Sequence, residues 1–415
     1  MHLHSLLLLS VLLSSALTLP HFFDKEDGEH TWSSFRIINI PQYNSSYPCS
    51  KHRVHLKNVM VENTNDAITI TYFSPIFSPK PSSTLLNHAA VACCMKRSLS
   101  SKPITVKRVS HPLSLPFTSS NPLYMINAVH PSNFFHALVD LSTSLFYTMA
   151  MDNYSQSSVL LLKCPDAPFP FRYFDYLAPF TSEVVINQPK LFIVEDLFIG
   201  HDTTPVYCLK GKELVTGCAS VFAAWKSLLV NYFHIQQSNH SQTKVTMLDR
   251  RPGNREVIEM RDREWRNEVK EKLQEYNITI DFVNTGKLST LKQLEIALNS
   301  DILFGTHGAG LVLELFQPDC SVAIVLNPPN CFNYVYENIP KRLGRGVVSK
   351  IVDADSVVVR EGAKKWLFQN GYPNNEEFFR KQLCHRFVRD VDFHLTVEEV
   401  VGLVLEGFAL LDDYE

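Results

Sequence analysis

The sequence predicts an α/β protein of two lobes, and three observations carry that expectation. Strand-like and helix-like segments alternate strictly from residue 244 onward, and such alternation folds as right-handed crossovers around a parallel sheet. The 415 residues exceed the ~250–300 at which a single hydrophobic core stops growing. A glycine-rich turn, Gly305-Thr306-His307-Gly308-Ala309-Gly310, falls between one strand and the helix after it, the place where open parallel sheets bind ligands.

In chain order, residues 1–19 hold a leucine-rich run with Ser14, Ser15 and Ala16 after it, the pattern of a secretory signal peptide. No lysine or arginine precedes the run, so an uncleaved anchor is the alternative. Residues 20–120 place Pro/Ser clusters around short runs such as "AITITYF" and predict a β/loop-rich N-terminal extension. "PSNFFHALVDLSTSLFYTMAMD" reads as an amphipathic helix capped by Ser132, followed by the strands "SVLLL" and "KLFIVEDLFIG". The polar segment 232–243 marks the expected boundary between lobes at 20–235 and 236–415. Beyond it come strand "KVTMLD", a helix over about 255–275, strand "ITIDFV", a helix over about 289–299, strand "DILFG", a helix from about 309 and strand "SVAIVL".

Composition narrows the function classes. Hydrophobic residues at 45% and charged residues at 20% describe an ordinary globular chain. A net charge of −3 argues against nucleic acid as a partner, which would need a broad basic surface. No other stretch reaches ~20 apolar residues, so membrane attachment is expected only through an N-terminal anchor. Sequons at Asn44, Asn153, Asn239 and Asn277, and nine cysteines, point to an oxidising lumen or the cell exterior. No C-x-x-C pair is present, which disfavours zinc.

Glycine tolerates positive φ and lets a second group approach the main chain. The helix starting near Gly310 offers amides and partial positive charge to an anion such as a diphosphate. The spacing G-x-x-G-x-G is neither the dinucleotide fingerprint nor a P-loop, and no G-x-S-x-G elbow exists in the chain. The plain alternative is that the glycines permit close strand–helix packing and His307 is an ordinary loop histidine. Upstream, Asn133, His136 and Asp140 are spaced so that one helix face presents all three. His136 would serve as general base, oriented by Asp140; the plain alternative is the polar stripe of an amphipathic helix. The triplets Asp353-Ala-Asp355 and Asp390-Val-Asp392 have the spacing of a metal pair without other convergent oxygen ligands. No metal site is expected.

Three stretches resemble the glycosyltransferase 61 family, which includes plant xylan arabinosyl- and xylosyltransferases and animal N-acetylglucosaminyltransferases. They are "STLKQLEIALNSDILFGTHGAGLVLELFQPDCSVAIVLNP" with its H-G-A-G loop, "MLDRRPGNREV" with Arg251 and Arg255, and "HPSNFFHALVD" with Asn133 and His136. Glu259 and Thr306 stand where the family usually has asparagine and proline. The resemblance implies two Rossmann-like lobes of the GT-B type and an inverting transfer from a UDP-sugar, with no metal or other cofactor. His136, Asp140 and His307 are the expected catalytic residues. Asn133, Arg251, Arg255, Thr306, Gly308, Ala309 and Gly310 are the expected substrate contacts, Arg251 and Arg255 because a guanidinium fork matches phosphate. The acceptor is expected to be a glycan or glycoprotein in the endoplasmic reticulum or Golgi lumen, or outside the cell. The alternative is an inactive luminal relative that binds glycans or acts as a scaffold.

Overall fold

The computed structural model describes residues 32–39, 52–64, 66–89, 103–113, 115–119, 121–126, 133–153, 158–162, 174–186, 188–202, 204–210, 217–238, 241–250, 255–329, 334–358, 365, 369 and 391–412. The chain divides into two compact units, Met1–Tyr207 and Cys208–Glu415. The division lies upstream of the polar segment 232–243. The helix Cys218–Tyr232 falls in the second unit, where Trp225 is buried with its ring 5.0 Å from that of Phe316.

The first unit is built on eight strands, β1 (Ser34–Asn39), β2 (His52–Asn63), β3 (Ile68–Phe73), β4 (Ile104–Val109), β5 (Leu123–Ile126), β6 (Ser158–Leu162), β7 (Thr181–Ile186) and β8 (Lys190–Ile199). Their order is β4-β3-β2-β8-β5-β6-β7, with β1 beside β2. Strands β5 to β8 are mutually parallel, and β2 runs antiparallel to β1, β3 and β8. The N-terminal residues expected as a loop-rich extension therefore form half of the sheet. The physical reason is β2, whose 12 residues bury Val54, Leu56, Val59 and Val61 and whose backbone pairs with β1 and β3 along one edge and with β8 along the other. In chain order the parallel strands β7-β6-β5-β8 read third, second, first, fourth, a doubly wound order that reverses between β5 and β8.

The second unit holds five parallel strands, β9 (Thr243–Leu248), β10 (Ile278–Val283), β11 (Ile302–Thr306), β12 (Val322–Asn327) and β13 (Gly346–Ile351), ordered β10-β9-β11-β12-β13. Every residue of β11 and β12 is buried, as expected of strands covered on both faces. Helices Arg263–Gln274 and Val397–Asp412 pack together on one face, where Val245, Phe304, Ile324, Val269 and Val400 share a core. Helices Thr290–Leu298 and Val335–Arg342 pack with the segment Ala309–Phe316. Local chemistry sets the boundaries. Asp262 Oδ1 accepts the Glu264 amide and Ser289 Oγ the Lys292 amide, which caps two of these helices. The helix expected from about 255 starts instead at Arg263, because Arg255 takes φ +63° and a 3-10 turn, Ile258–Arg261, intervenes.

Among the described residues no helix is long and apolar enough to cross a membrane. The leucine-rich segment and the sequons at Asn44 and Asn239 lie outside the described residues. The sequon residues Asn153 and Asn277 are exposed and follow helices with φ near +60°, at 60° and 59°. Cys208 is disulfide-bonded, and Cys320 is free and exposed.

Candidate functional site

In the second unit the chain steps from β9 outward to β10 and then back past β9 to β11, so the strand order reverses between β9 and β11. Ligands of doubly wound sheets bind at the carboxyl ends of the strands beside such a reversal. Asp249 and Arg250 follow β9 there, and the turn His307–Gly310 follows β11. The His307 amide donates to the Leu326 carbonyl at 2.8 Å, which extends the β11–β12 ladder by one rung. The His307 carbonyl accepts from Arg250 Nη1 at 3.2 Å and from Arg255 Nη1 at 2.8 Å. Thr306 Oγ1 donates to the Arg255 carbonyl at 2.8 Å. The arginine is thus tied at both ends to the turn it serves.

The glycines of this turn answer to different constraints. Gly308 has φ +145°, and a Cβ there would lie 2.2 Å from Arg250 Nη1 and 2.5 Å from Arg255 Nη1. Two guanidinium groups therefore occupy the space that the missing side chain leaves. At Gly305 a Cβ would press on Leu311 at 3.2 Å, a packing constraint within the unit. Gly310 would meet Leu248 at an ordinary 3.8 Å. The expected helix from about 309 is a 3-10 helix, Ala309–Phe316. The Leu311 amide donates to the Gly308 carbonyl at 2.9 Å, while the helix geometry gives the amides of Ala309 and Gly310 no acceptor within the helix. Both residues are half-buried, whereas the His307 side chain lies in the interior, its residue 1% exposed. The turn combines main-chain amides, the positive end of a short helix and two arginines, an arrangement suited to an anion with several oxygens.

In the first unit the helix after β5 runs as a π-helix over His136–Thr143 and as an α-helix over Ser144–Met151. The expected cap Ser132 lies outside the described residues; the side chain that caps is Asn133, whose Oδ1 accepts the Phe135 amide at 3.0 Å. Asn133 is exposed, and its Oδ1 makes this contact. His136 Nδ1 donates to Asp140 Oδ2 at 2.5 Å. In the neutral ring, donation from Nδ1 places the imidazole lone pair on Nε2, the atom a general base uses. The helix expected to be amphipathic is buried nearly all round: Asp140, Ser142, Thr143, Ser144 and Thr148 are at most 5% exposed. Their hydroxyls bond to main-chain carbonyls, Ser142 to Tyr176 and Thr148 to Ser144, which is why a polar stripe tolerates burial.

Of the remaining sequence candidates, Arg251 and Asp390 lie outside the described residues. Asp392 is buried and accepts the Glu256 amide at 2.9 Å, and Asp353 and Asp355 are exposed. Among the described residues no group of three or more His, Cys, Asp or Glu could hold a metal ion. Arg250 was not singled out from the sequence, although its place two residues beyond β9 is the available signal. Nor does the sequence mark His201 and Asp202. They lie just beyond β8 at its carboxyl end, as the turn His307–Gly310 lies beyond β11, and both are buried. Burial holds the His201 ring at about 4, well below the ordinary imidazole value, and pushes the Asp202 carboxyl up.

No family model matches this chain, nor does any curated protein. Among solved structures it is similar to the bacterial iron-containing dodecameric glycosyltransferase TibC from enterotoxigenic E. coli, at 10% identity over 96% of this chain and 100% of that one, with a TM-score of 0.29. It is also similar to the metal-soaked Flv1 flavodiiron core from Synechocystis, at 7% identity over 85% of this chain and 100% of that one, with a TM-score of 0.20. At these scores neither likeness bears on the fold or the activity of this chain.

Proposed function

We propose that the protein is an inverting, UDP-sugar-dependent glycosyltransferase of the GT-B type that works in the secretory pathway. It would move N-acetylglucosamine or a pentose to a hydroxyl of a glycan or protein. The observation that carries this reading is the convergence of Arg250 and Arg255 on Gly308, at the point where the strand order of the second sheet reverses. Loss of a sugar from UDP leaves charge growing on the β-phosphate, and donors already aimed at it lower the barrier. Guanidinium groups and the amides of Ala309 and Gly310 supply such donors from the chain itself. Gly308 gives the close approach, and Thr306 acts by fixing Arg255. Asn133, Arg251 and His307 keep the substrate and catalytic roles that the family resemblance implies.

As the acceptor oxygen bonds to the anomeric carbon, the bond from that carbon to the diphosphate oxygen breaks. The electron pair leaves with UDP, and the acceptor proton passes to a general base, the role for which the sequence offers His136. Asp140 holds the ring in the required tautomer and stabilises the imidazolium that forms. The test is UDP release by the purified protein from UDP-N-acetylglucosamine, UDP-xylose and UDP-arabinose. Turnover of one donor is expected, with His136→Ala slower by about 100-fold or more. Absence of release from all three, together with absence of UDP binding, overturns the reading.

A further inference from the structure

We infer that His201 is a positioning residue for the His136–Asp140 pair, acting through the main chain of Asp140. The inference rests on the proposed role of His136 as base only for its catalytic consequence; the geometry stands by itself. A π-helix displaces its carbonyls from the register that the following α-helix uses. Three successive carbonyls in the middle of the π segment are met by side-chain donors. Thr143 Oγ1 donates to Leu138 at 2.9 Å, Ser144 Oγ donates to Val139 at 3.1 Å, and His201 Nε2 donates to Asp140 at 3.0 Å. The first two donors belong to the helix itself. His201 is the one that arrives from another element, and it grips the residue whose carboxylate holds His136.

The turn carrying His201 is itself fixed. The Gly200 amide donates to the Met125 carbonyl at 2.9 Å, which joins the end of β8 to β5. Gly200 has φ +89°, and a Cβ there would lie 2.2 Å from the Ala89 carbonyl oxygen, so no other residue fits. The Asp202 amide donates to Thr148 Oγ1 at 2.7 Å, one helix turn beyond the Ser144 contact. Asp202 Oδ1 accepts both the amide and the hydroxyl of Thr204. The charged groups acting on His201 are Asp140 and Arg53, and Arg53 is paired with Asp152 at 2.6 Å. A neutral, buried ring in this setting has one function left to its Nε2–H, which is to set where Asp140 sits along the helix.

The experiment uses the full chain and reads the nucleophilicity of His136 directly, as the rate of carbethoxylation by diethyl pyrocarbonate at pH 7.5, mapped by peptide mass spectrometry. Asp140→Asn gives the rate expected when the pair is broken. His201→Leu, which lacks the donor, is expected to slow modification of His136 by about five- to tenfold, the weight of one ordinary hydrogen bond. His201→Gln, which can return an N–H to the same carbonyl, is expected to stay within about twofold of the parent. A His201→Leu rate equal to the parent overturns the inference. If that variant does not fold, the glutamine variant decides, and a loss as deep as that of Asp140→Asn overturns it. A second readout is turnover, where His201→Leu should lower kcat with KM nearly unchanged. Slowed modification in a protein without transferase turnover upholds the positioning role and removes only the sugar-transfer reading.

Discussion

Gly308 and Gly310 stand two residues apart and differ in what they require. Gly308 needs its positive φ, and its neighbours at close range are the flexible ends of two arginines. Replacement by alanine therefore strains the backbone, by about 1–3 kcal/mol, and moves the guanidinium groups aside. Gly310→Ala meets only an ordinary contact and should stay within about 0.5 kcal/mol of the parent. Urea denaturation of the two variants checks this, and equal midpoints would remove the backbone argument. The same scale shows where the sequence was readable. The H-G-A-G turn was visible because glycine, histidine and a strand end coincide. The arginines were only half visible. "LDRRPGNREV" offers three within six positions, and a charged run carries no sign of which side chain folds back toward a turn more than fifty residues away. Arg255, a sequence candidate, comes to the turn, and Arg250, which the sequence does not single out, comes with it.

At the scale of elements, the segment after the glycine turn reads as a helix and is one, but of the tighter 3-10 kind and wholly interior from Leu311 to Phe316. Glu314 is drawn into that interior, and neither carboxyl oxygen has a hydrogen-bond partner among the described residues. Burial raises its proton affinity well above the usual carboxylate range, with Arg345 pulling the other way. A raised acid binds a proton in the folded state that the unfolded chain has released, so its cost grows as pH rises above the ordinary carboxyl value. Glu314→Met should accordingly stabilise the protein by about 1–3 kcal/mol at pH 8 and by less at pH 5. Thermal unfolding at the two pH values measures the difference, and an equal or opposite effect would contradict the account. The helix at 136–151 teaches a related lesson. Hydrophobic periodicity located it, yet its π register and its buried hydroxyls depend on carbonyl partners that no local pattern encodes.

For the whole molecule, the alternation of strand and helix made the α/β class legible, and four of the five strands of the second sheet, β9 to β12, lie where that alternation puts them, while β13 is not among the expected segments. Strand order was not legible, because pairing such as β2 with β8 joins residues far apart in the chain. Residues 20–120 read as a β/loop-rich extension for the same reason, since a strand flanked by prolines shows its role only beside its partners. Stability of the whole protein should also report His201. Its ring stays neutral down to about 4 when folded, against 6.5 for an ordinary histidine, so the folded state lags the unfolded chain in taking up a proton. Stability is complete above about pH 6.5 and falls as pH drops toward 4, by roughly 3 kcal/mol from this group. His201→Gln should flatten that part of the profile in urea titrations across the window; a profile unchanged by the substitution would contradict the burial argument.

The central claim, a diphosphate seat formed by Gly308, Arg250 and Arg255, is tested most directly by comparing UDP with uridine in calorimetric titrations of the purified chain. UDP is expected to bind and uridine to bind far more weakly, and Arg250→Gln and Arg255→Gln should each weaken UDP by about tenfold or more, the scale of one charge-assisted hydrogen bond. Equal affinity for UDP and uridine, or arginine variants that bind UDP as the parent does, would contradict it.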